Sequence, residues 1–263
     1  MTAAASTFDD DLRLAHLIAD QVDAITMARF RAADLRVDTK ADLSPVTDAD
    51  TAAEEYIRSQ LRRSRGRDSV LGEEFGSSAG GARRWIVDPI DGTKNYVRGV
   101  PVWATLIGLA MEDQVVMGVV SAPALGRRWW AAAGSGAWTG RALGSATQLR
   151  VSSVGRLEEA SFSYSSLGGW ETQGRLPGFL QLTRRCDRTR AYGDFWSYMM
   201  VAEGAVDIAA EPELEVYDMA ALVPIVTEAG GTFTSIEGEP GPWGGNAVAT
   251  NGLLHSEALV YFG

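Results

Sequence analysis

The sequence is poor in cysteine and histidine. Its 263 residues include one cysteine, Cys186, and two histidines, His16 and His255. A single cysteine excludes a disulfide within the chain and is compatible with a reducing compartment. Because a Ser-His-Asp or Cys-His mechanism needs a histidine that a third group orients, two histidines leave little material for covalent catalysis of that kind.

Basic residues are scarcer than acidic ones. The chain carries 24 Lys and Arg against 34 Asp and Glu, which gives a formal net charge of -10. Nucleic acid is therefore excluded as a partner, since phosphate backbones are bound by clustered Lys and Arg. The negative charge would suit a cationic substrate, but solubility is the simpler explanation.

Long hydrophobic runs are also absent. No stretch approaches the roughly 20 apolar residues that a membrane-spanning helix needs. Residues 1–11 contain no basic segment followed by an apolar run, which a secretory signal would have. We therefore expect a soluble, cytoplasmic protein that does not bind a membrane.

The chain alternates helical and strand-like patterns. Apolar residues recur every three or four positions from Leu14 to Ile25, which predicts an amphipathic helix. Residues 103–132 contain strand-like runs separated by Gly and polar residues, as in an antiparallel sheet. Farther on, we expect Asp218 to cap a helix that reaches Ala229. This mixture predicts a protein of the α/β class.

The length of the chain suits one large or two small domains. A polar, Gly-containing linker at residues 139–148 favours a boundary near Arg150. We therefore predict an N-terminal sheet-and-helix domain, residues 1–150, and a C-terminal α/β domain, residues 151–263.

The most informative stretch is residues 85–95, with the sequence WIVDPIDGTKN. Its apolar start predicts a short buried strand that ends at Asp88, because Pro89 cannot donate a hydrogen bond to a neighbouring strand. Asp88 and Asp91 then offer the clustered carboxylates that hard divalent cations prefer, and the N–H groups that follow could hold a phosphate. The alternative interpretation is an acidic Pro/Gly turn without a ligand.

Two further acidic motifs flank this stretch along the chain. Glu73 and Glu74 follow Gly72 upstream, and Asp218 lies far downstream in the sequence VYDMAA. In that order, the three motifs resemble the inositol monophosphatase family of magnesium-dependent, lithium-sensitive phosphatases. The resemblance extends over residues 12–254.

Three other segments are similar to the actinobacterial histidinol-phosphatase branch of that family. They are RAYGD at residues 190–194, SAPAL at residues 121–125 and RRWW at residues 127–130.

The resemblance implies a site for two or three Mg²⁺ ions. The first ion would be held by Glu73, Asp88 and the carbonyl group of Ile90. The second ion would be held by Asp88, Asp91 and Asp218, so that Asp88 bridges the two ions. Such sites neutralise phosphoryl oxygens and activate water.

The resemblance also implies how water is activated. Thr93 and Asp50 would orient the attacking water, with Glu73 nearby, and no covalent intermediate would form. The backbone N–H groups of Gly92 and Thr93 would hold the phosphate, and Lys40 would lie near the metal ions. From the sequence alone, an acid at the start of a helix is the better interpretation of Asp50.

Substrate choice would come from two acids in the C-terminal domain. Glu211 stands where relatives place an acid that binds the leaving alcohol, and Asp194 replaces a small uncharged residue of the inositol branch. Two carboxylates favour an amine and an imidazole over a neutral polyol. The implied set of substrate-binding residues is Asp91, Gly92, Thr93, Asp194, Glu211 and Asp218.

The resemblance therefore implies a histidinol-phosphatase of histidine biosynthesis, which hydrolyses L-histidinol phosphate to L-histidinol and phosphate. The alternatives are a phosphatase of the same superfamily that acts on inositol phosphate or another small metabolite, and a catalytically silent regulatory member. Asp194 could also be only a helix cap.

The fold implied by the family is a layered αβαβα sandwich of the inositol monophosphatase and fructose-1,6-bisphosphatase type. The N-terminal domain would carry most metal ligands, and the C-terminal domain would complete the site. Relatives of this kind imply a homodimer.

Overall fold

The structure, a computed structural model, describes residues 7–41, 43–78, 81–141 and 143–263. Its α-helices are α1 (Asp9–Arg29), α2 (Asp48–Ser64), α3 (Thr93–Val97), α4 (Leu167–Thr172), α5 (Leu176–Arg185), α6 (Asp194–Ala202), α7 (Val216–Met219), α8 (Leu222–Glu228) and α9 (His255–Leu259). Short 3-10 helices cover Pro123–Leu125, Leu143–Ser145 and Leu157–Glu159.

The strands up to the middle of the chain are β1 (Val37–Thr39), β2 (Pro45–Thr47), β3 (Ser69–Gly72), β4 (Gly76–Ser77), β5 (Arg83–Asp91), β6 (Ala104–Met111), β7 (Gln114–Ala122), β8 (Arg127–Ala132), β9 (Ala137–Thr139) and β10 (Thr147–Gln148). Those that follow are β11 (Ser161–Ser163), β12 (Arg188–Arg190), β13 (Ile208–Glu211), β14 (Thr232–Thr234) and β15 (Ala247–Thr250).

A first sheet has the strand order β10-β9-β8-β7-β6-β5-β3-β4, and β1 and β2 form a separate hairpin. Neighbouring strands are antiparallel except β3 and β5, which run parallel. The predicted antiparallel strands within residues 103–132 are confirmed as β6, β7 and β8. The predicted amphipathic helix is confirmed as α1.

Strand β5 does not end at Asp88, so the predicted end of this strand is wrong. The strand continues through Pro89 to Asp91, with a register shift against β6 between the two acids. Pro89 lies within this register shift, where no N–H group is needed to pair with β6, and its carbonyl group accepts a hydrogen bond from the Thr105 hydroxyl at 2.8 Å. The strand therefore carries both acids at an irregular, buried end.

A second sheet has the strand order β12-β11-β13-β15-β14. Strands β12 and β13 run parallel to β11, whereas β15 is antiparallel to both β13 and β14. In the described chain, every strand before Arg150 other than the β1–β2 hairpin belongs to the first sheet, and every later strand belongs to the second. The domain boundary near Arg150 remains a prediction.

Buried side chains show how the layers are stacked. Helices α1 and α2 pack on one face of the first sheet, and helices α6 and α8 pack between the two sheets. Helices α4, α5 and α9 cover the outer face of the second sheet. The predicted αβαβα sandwich is confirmed. Among the described residues, no helix is both long and apolar enough to cross a membrane.

Candidate active site

Three acids from distant parts of the chain meet at the end of β5. Carboxylate oxygens of Asp88, Asp91 and Asp218 lie within 4.8 Å of one another. Residues three apart on a regular strand point to opposite faces of the sheet. The register shift between Asp88 and Asp91 removes this restriction, so both acids face the same site.

Local hydrogen bonds hold the two acids of β5. Oδ1 of Asp88 accepts a hydrogen bond from the backbone N–H of Ile90 at 2.9 Å. Oδ2 of Asp91 accepts the N–H of Phe195 at 2.8 Å, which ties the first sheet to the start of α6. Each acid keeps its other oxygen available for a ligand.

Asp218 is not an N-cap, so that prediction is wrong. The N-cap of α7 is Glu215, and Asp218 is the third residue of the helix, where its Oδ2 accepts the N–H of Glu215 at 2.8 Å. The predicted continuous helix from Asp218 to Ala229 is also wrong, since α7 and α8 are separated at Ala220 and Ala221.

Two glycines allow this helical pair to reach the first sheet. Gly108 and Gly118 lie opposite each other on β6 and β7. A Cβ atom at Gly118 would overlap the backbone of Ala221, and one at Gly108 would crowd Ala220. The absence of side chains at these positions therefore brings Asp218 close to the end of β5.

Glu73 lies at the edge of the three-acid cluster, and its carboxylate is bound to Lys40. Nζ of Lys40 lies 2.6 Å from Glu73 and 2.8 Å from Glu74. Glu73 is close enough to Asp88 to raise the pKa of that carboxyl. The predicted role of Glu73 as a ligand of the first ion stays a prediction, because a cation would compete with Lys40 for its carboxylate.

Glu54 holds the loop that carries these two glutamates, a role that the sequence did not indicate. The buried Glu54 carboxylate accepts the N–H groups of Glu74 at 2.7 Å and Phe75 at 3.2 Å, and Arg58 binds it at 2.7 Å. A Cβ atom at Gly72 would overlap this carboxylate. Glycine before the two glutamates is thus a requirement of packing.

The pair formed by Thr93 and Asp50 is present as predicted from the resemblance. The Thr93 hydroxyl lies 3.3 Å from Oδ1 of Asp50 and 2.9 Å from the carbonyl oxygen of Ile90. The second oxygen of Asp50 accepts the N–H and the hydroxyl of Thr47, the N-cap of α2. Asp50 therefore both stabilises the start of α2 and contacts Thr93. Gly92, with a φ of 82°, leads into α3.

Asp194 begins α6 but does not cap it. Its φ of 49° lies in the left-handed region, and its side chain makes no capping hydrogen bond. Oδ2 of Asp194 instead accepts the amide of Asn95 at 2.7 Å, while its N–H donates to the Ser165 hydroxyl at 3.0 Å. Glu211 lies at the end of β13, so Asp194 faces the site from α6 and Glu211 faces it from the second sheet.

Burial raises the pKa values of these acids, and their mutual repulsion raises them further. The pKa values of Asp88 and Asp91 lie well above the usual range for both reasons. Burial raises the pKa of Asp218 to about 7 and that of Glu211 to about 8. Burial also raises the pKa of Asp194 to about 6, although the positive charge of Lys94 acts in the opposite direction.

An open groove leads to the acids. Its volume is about 620 Å³, and its lining includes Glu73, Lys94, Glu211, Tyr217 and Asp218. Lys94 and Tyr217 lie in the groove although the sequence analysis assigned them no role. The only signal for either was its place in a motif, Lys94 directly after Thr93 and Tyr217 directly before Asp218.

The family model for the inositol monophosphatase family matches residues 10–260. The chain belongs to the inositol monophosphatase family. The histidinol-phosphatase of Streptomyces coelicolor is 67% identical over 256 residues, 96% of each chain. That of Mycobacterium tuberculosis is 59% identical, over 95% of this chain and 97% of its own length. The structure of an inositol monophosphatase from Zymomonas mobilis superimposes with a TM-score of 0.87 at 32% identity, over 98% of this chain and 99% of that one.

The acids of this family member fit a hard divalent cation. Asp88, Asp91 and Asp218 could hold a metal ion with oxygen ligands alone, which is the chemistry that Mg²⁺ prefers. Burying ionised carboxylates together is unfavourable unless a positive charge compensates them. A bound cation would supply that charge.

Proposed function

We propose that this chain is a histidinol-phosphatase, which hydrolyses L-histidinol phosphate to L-histidinol and inorganic phosphate in histidine biosynthesis. The observation that carries this proposal is a pair of acids beside the three-acid cluster of a phosphatase family, namely the half-buried Asp194 and the buried Glu211. A leaving group with an amine and an imidazole offers N–H donors to both. The high identity to two histidinol-phosphatases over nearly the whole chain supports the same substrate.

We infer that the metal ligands are those of the family motifs. Glu73, Asp88 and the Ile90 carbonyl group would hold one Mg²⁺ ion, and Asp88, Asp91 and Asp218 a second. Bound Mg²⁺ would neutralise phosphoryl oxygens, lower the pKa of water and stabilise the leaving alkoxide.

Thr93 and Asp50 are suited to orient water and to accept its proton. Burial raises the pKa of Asp50 to about 6, which places this carboxylate near the range of an effective base at neutral pH. The Thr93 hydroxyl is already directed by the Ile90 carbonyl oxygen and Asp50. The N–H groups of Gly92 and Thr93 would hold the phosphate.

The family resemblance supports three further proposals, namely that the cation is Mg²⁺, that the protein is a homodimer, and that it is cytoplasmic. Light scattering would test the dimer, and phosphate release with each divalent cation would test the metal. The intact motif acids argue against a catalytically silent member, because in a protein without activity these residues would be free to be substituted.

Phosphate release from a panel of phosphomonoesters tests the substrate. We expect histidinol phosphate to exceed inositol 1-phosphate in kcat/KM by orders of magnitude. Asp194→Asn should lower kcat/KM for histidinol phosphate by roughly 10- to 100-fold, because a hydrogen bond to a charged group contributes about 1.5–3 kcal/mol. Asparagine can still accept from Asn95, so the local structure should persist.

Asp113→Asn, which removes a charge at a distant turn, is the matched control. A neutral phosphomonoester should be affected far less than histidinol phosphate by Asp194→Asn. An equal loss with both substrates would show that Asp194 has a structural role. If inositol 1-phosphate is the better substrate of the unmodified protein, the proposed function is wrong.

A further inference from the structure

An inner chamber lies behind the three-acid cluster, next to α6. Its volume is about 140 Å³, and its lining includes Asp91, Asp194, Phe195, Tyr198, Glu211 and Leu222. One side of the chamber is acidic, and the other is formed by aromatic and aliphatic side chains. The mechanism described above uses its acids but leaves Tyr198 without a function.

Tyr198 lies one helical turn after Asp194 on α6, and 1% of its surface is exposed. Its hydroxyl has no well-aligned hydrogen bond to any residue that the structure describes. Burial raises the pKa of Tyr198, and Glu211, Asp91 and Asp218 raise it further, so the hydroxyl stays protonated and faces these acids. Because a buried polar group without a well-aligned hydrogen bond is unfavourable, a ligand that supplies one would be bound more tightly.

Glu211 presents a second such atom to the same chamber. Oε1 of Glu211 is buried and has no hydrogen-bond partner among the described residues. The Ser165 hydroxyl lies close enough to lower the pKa of Glu211, against the larger effect of burial, and also accepts the N–H of Asp194. The Tyr198 hydroxyl on α6 and Oε1 of Glu211 on β13 therefore face the chamber together, close enough for each group to affect the pKa of the other.

The size and walls of the chamber suit a small aromatic ring. A cavity of about 150 Å³ in another protein accommodates benzene, a ring slightly larger than imidazole. Phe195, Leu214 and Leu222 provide apolar surfaces for the faces of such a ring. Leu214 also lines the outer groove, so the chamber can be entered from the substrate side.

We propose that the chamber binds the imidazole ring of the leaving group, with one ring nitrogen hydrogen-bonded at the point where the Tyr198 hydroxyl and Oε1 of Glu211 lie side by side. This inference rests on the proposed function, since it places the imidazole ring of histidinol phosphate in the chamber. Tyr198 is thus a residue that determines specificity.

Tyr198→Phe removes the hydroxyl and keeps the aromatic ring. The test compares histidinol phosphate with 2-aminopropyl phosphate, which keeps the amine and the phosphate ester but lacks the imidazole. We expect kcat/KM for histidinol phosphate to fall roughly 10-fold, mainly through a higher KM, as for one lost hydrogen bond. The value for 2-aminopropyl phosphate should change less than about twofold.

Tyr56→Phe, which removes a hydroxyl from α2 on the far side of the first sheet, is the matched control and should change neither substrate. Leu214→Phe is a second variant at a less buried position, in case Tyr198→Phe does not fold. By narrowing the chamber, it should raise KM for histidinol phosphate selectively.

Equal losses with both substrates, or no loss with histidinol phosphate, would overturn the assignment of the ring. A selective loss with 2-aminopropyl phosphate would also overturn it, because the amine would then occupy the chamber. Failure of the proposed function has a different signature: the unmodified protein would prefer another phosphomonoester to histidinol phosphate before any variant is made.

Discussion

Two buried clusters of charge in this molecule differ in how their acids are compensated. The first lies between α1 and the first sheet, where the guanidinium of Arg128 binds Asp20 at 2.8 Å and Asp23 at 2.7 Å. Ser121 joins the same network, since its hydroxyl accepts from Arg128 at 3.0 Å and donates to Asp23 at 2.8 Å. Asp20 and Asp23 share this guanidinium, so the protein itself supplies the positive charge that compensates them.

The second cluster is the candidate active site. Its ion pairs involve Lys40, which binds Glu73 and Glu74 at the edge. In the described part of the chain, Asp88, Asp91 and Asp218 form no ion pair, although all three are close together and largely buried.

The difference separates a structural cluster from a functional one. A buried ion pair whose hydrogen bonds are satisfied joins two elements of the fold. Removing one partner destabilises the fold, because the other charge is left uncompensated. Acids whose pKa values are raised by burial and by one another store repulsion that a cation can relieve. The same residue type therefore serves stability near α1 and ligand binding at β5.

The largest effect should come from removing the central acid of the uncompensated cluster. Asp88→Asn should lower kcat at saturating Mg²⁺ at least 100-fold, because Asp88 is the ligand that we propose both ions share. The metal-free variant should be no less stable than the unmodified protein, since a repulsive charge is removed. Steady-state kinetics and urea unfolding in EDTA measure the two quantities.

Asp23→Asn is the matched substitution in the compensated cluster. It should leave kcat nearly unchanged and lower stability, because Arg128 loses an ionised partner. If Asp88→Asn retained more than a tenth of the turnover, Asp88 could not be the bridging ligand.

The next largest effect should come from breaking the compensated cluster. Arg128→Met should lower the free energy of unfolding by about 3 kcal/mol, near the low end for a broken buried pair, because Asp20 is half exposed. Turnover per folded molecule should stay unchanged. Arg185→Met breaks an ion pair with Glu158 in which both side chains are exposed; it is the control and should lower the free energy of unfolding far less. Similar losses in both variants would contradict a special role for the Arg128 cluster.

The acids of the site could be predicted from the sequence because short motifs carry them. Asp88, Asp91 and Asp218 stand in ordered motifs that identify a family, and family membership brings the layered fold with it. The supports of these acids could not be predicted in this way. Glu54 contacts the Glu74 loop across 20 positions of sequence, and without an alignment it resembles any acid on a helix.

The predictions that failed concern local geometry. A proline usually ends a strand, but at Pro89 a register shift and the Thr105 hydroxyl satisfy the backbone instead. An acid before an apolar helical run usually caps it, but Glu215 takes that position in α7 and leaves Asp218 inside the helix. In both places a tertiary contact determines the local structure, and the conformational preferences of neighbouring residues carry no information about that contact. The role of Tyr198 had no signal, because a tyrosine among apolar residues predicts only a core position.

A smaller effect is expected in the metal-free protein, where the two clusters should change the free energy of unfolding differently with pH. Burial raises the pKa of Asp218 to about 7 and that of Glu211 to about 8 in the folded protein. Above their ordinary pKa values the folded protein therefore binds more protons than the unfolded chain, so its stability falls as the pH rises toward 8. Burial lowers the pKa of His16, beside Arg128, to about 4, which makes stability rise with pH only up to the ordinary value of 6.5.

Between pH 6.5 and 8 the acidic cluster alone should determine the trend. We expect the free energy of unfolding in EDTA to fall by about 2 kcal/mol over this range, since one carboxyl that is protonated only in the folded state contributes about 1.4 kcal/mol per pH unit. Mg²⁺ should restore stability more at pH 8 than at pH 6.5, because it binds the ionised carboxylates. Urea unfolding at both pH values, with EDTA or Mg²⁺, measures this. A flat metal-free profile would mean that these acids are already compensated, as those near Arg128 are, and the contrast between the clusters would fail.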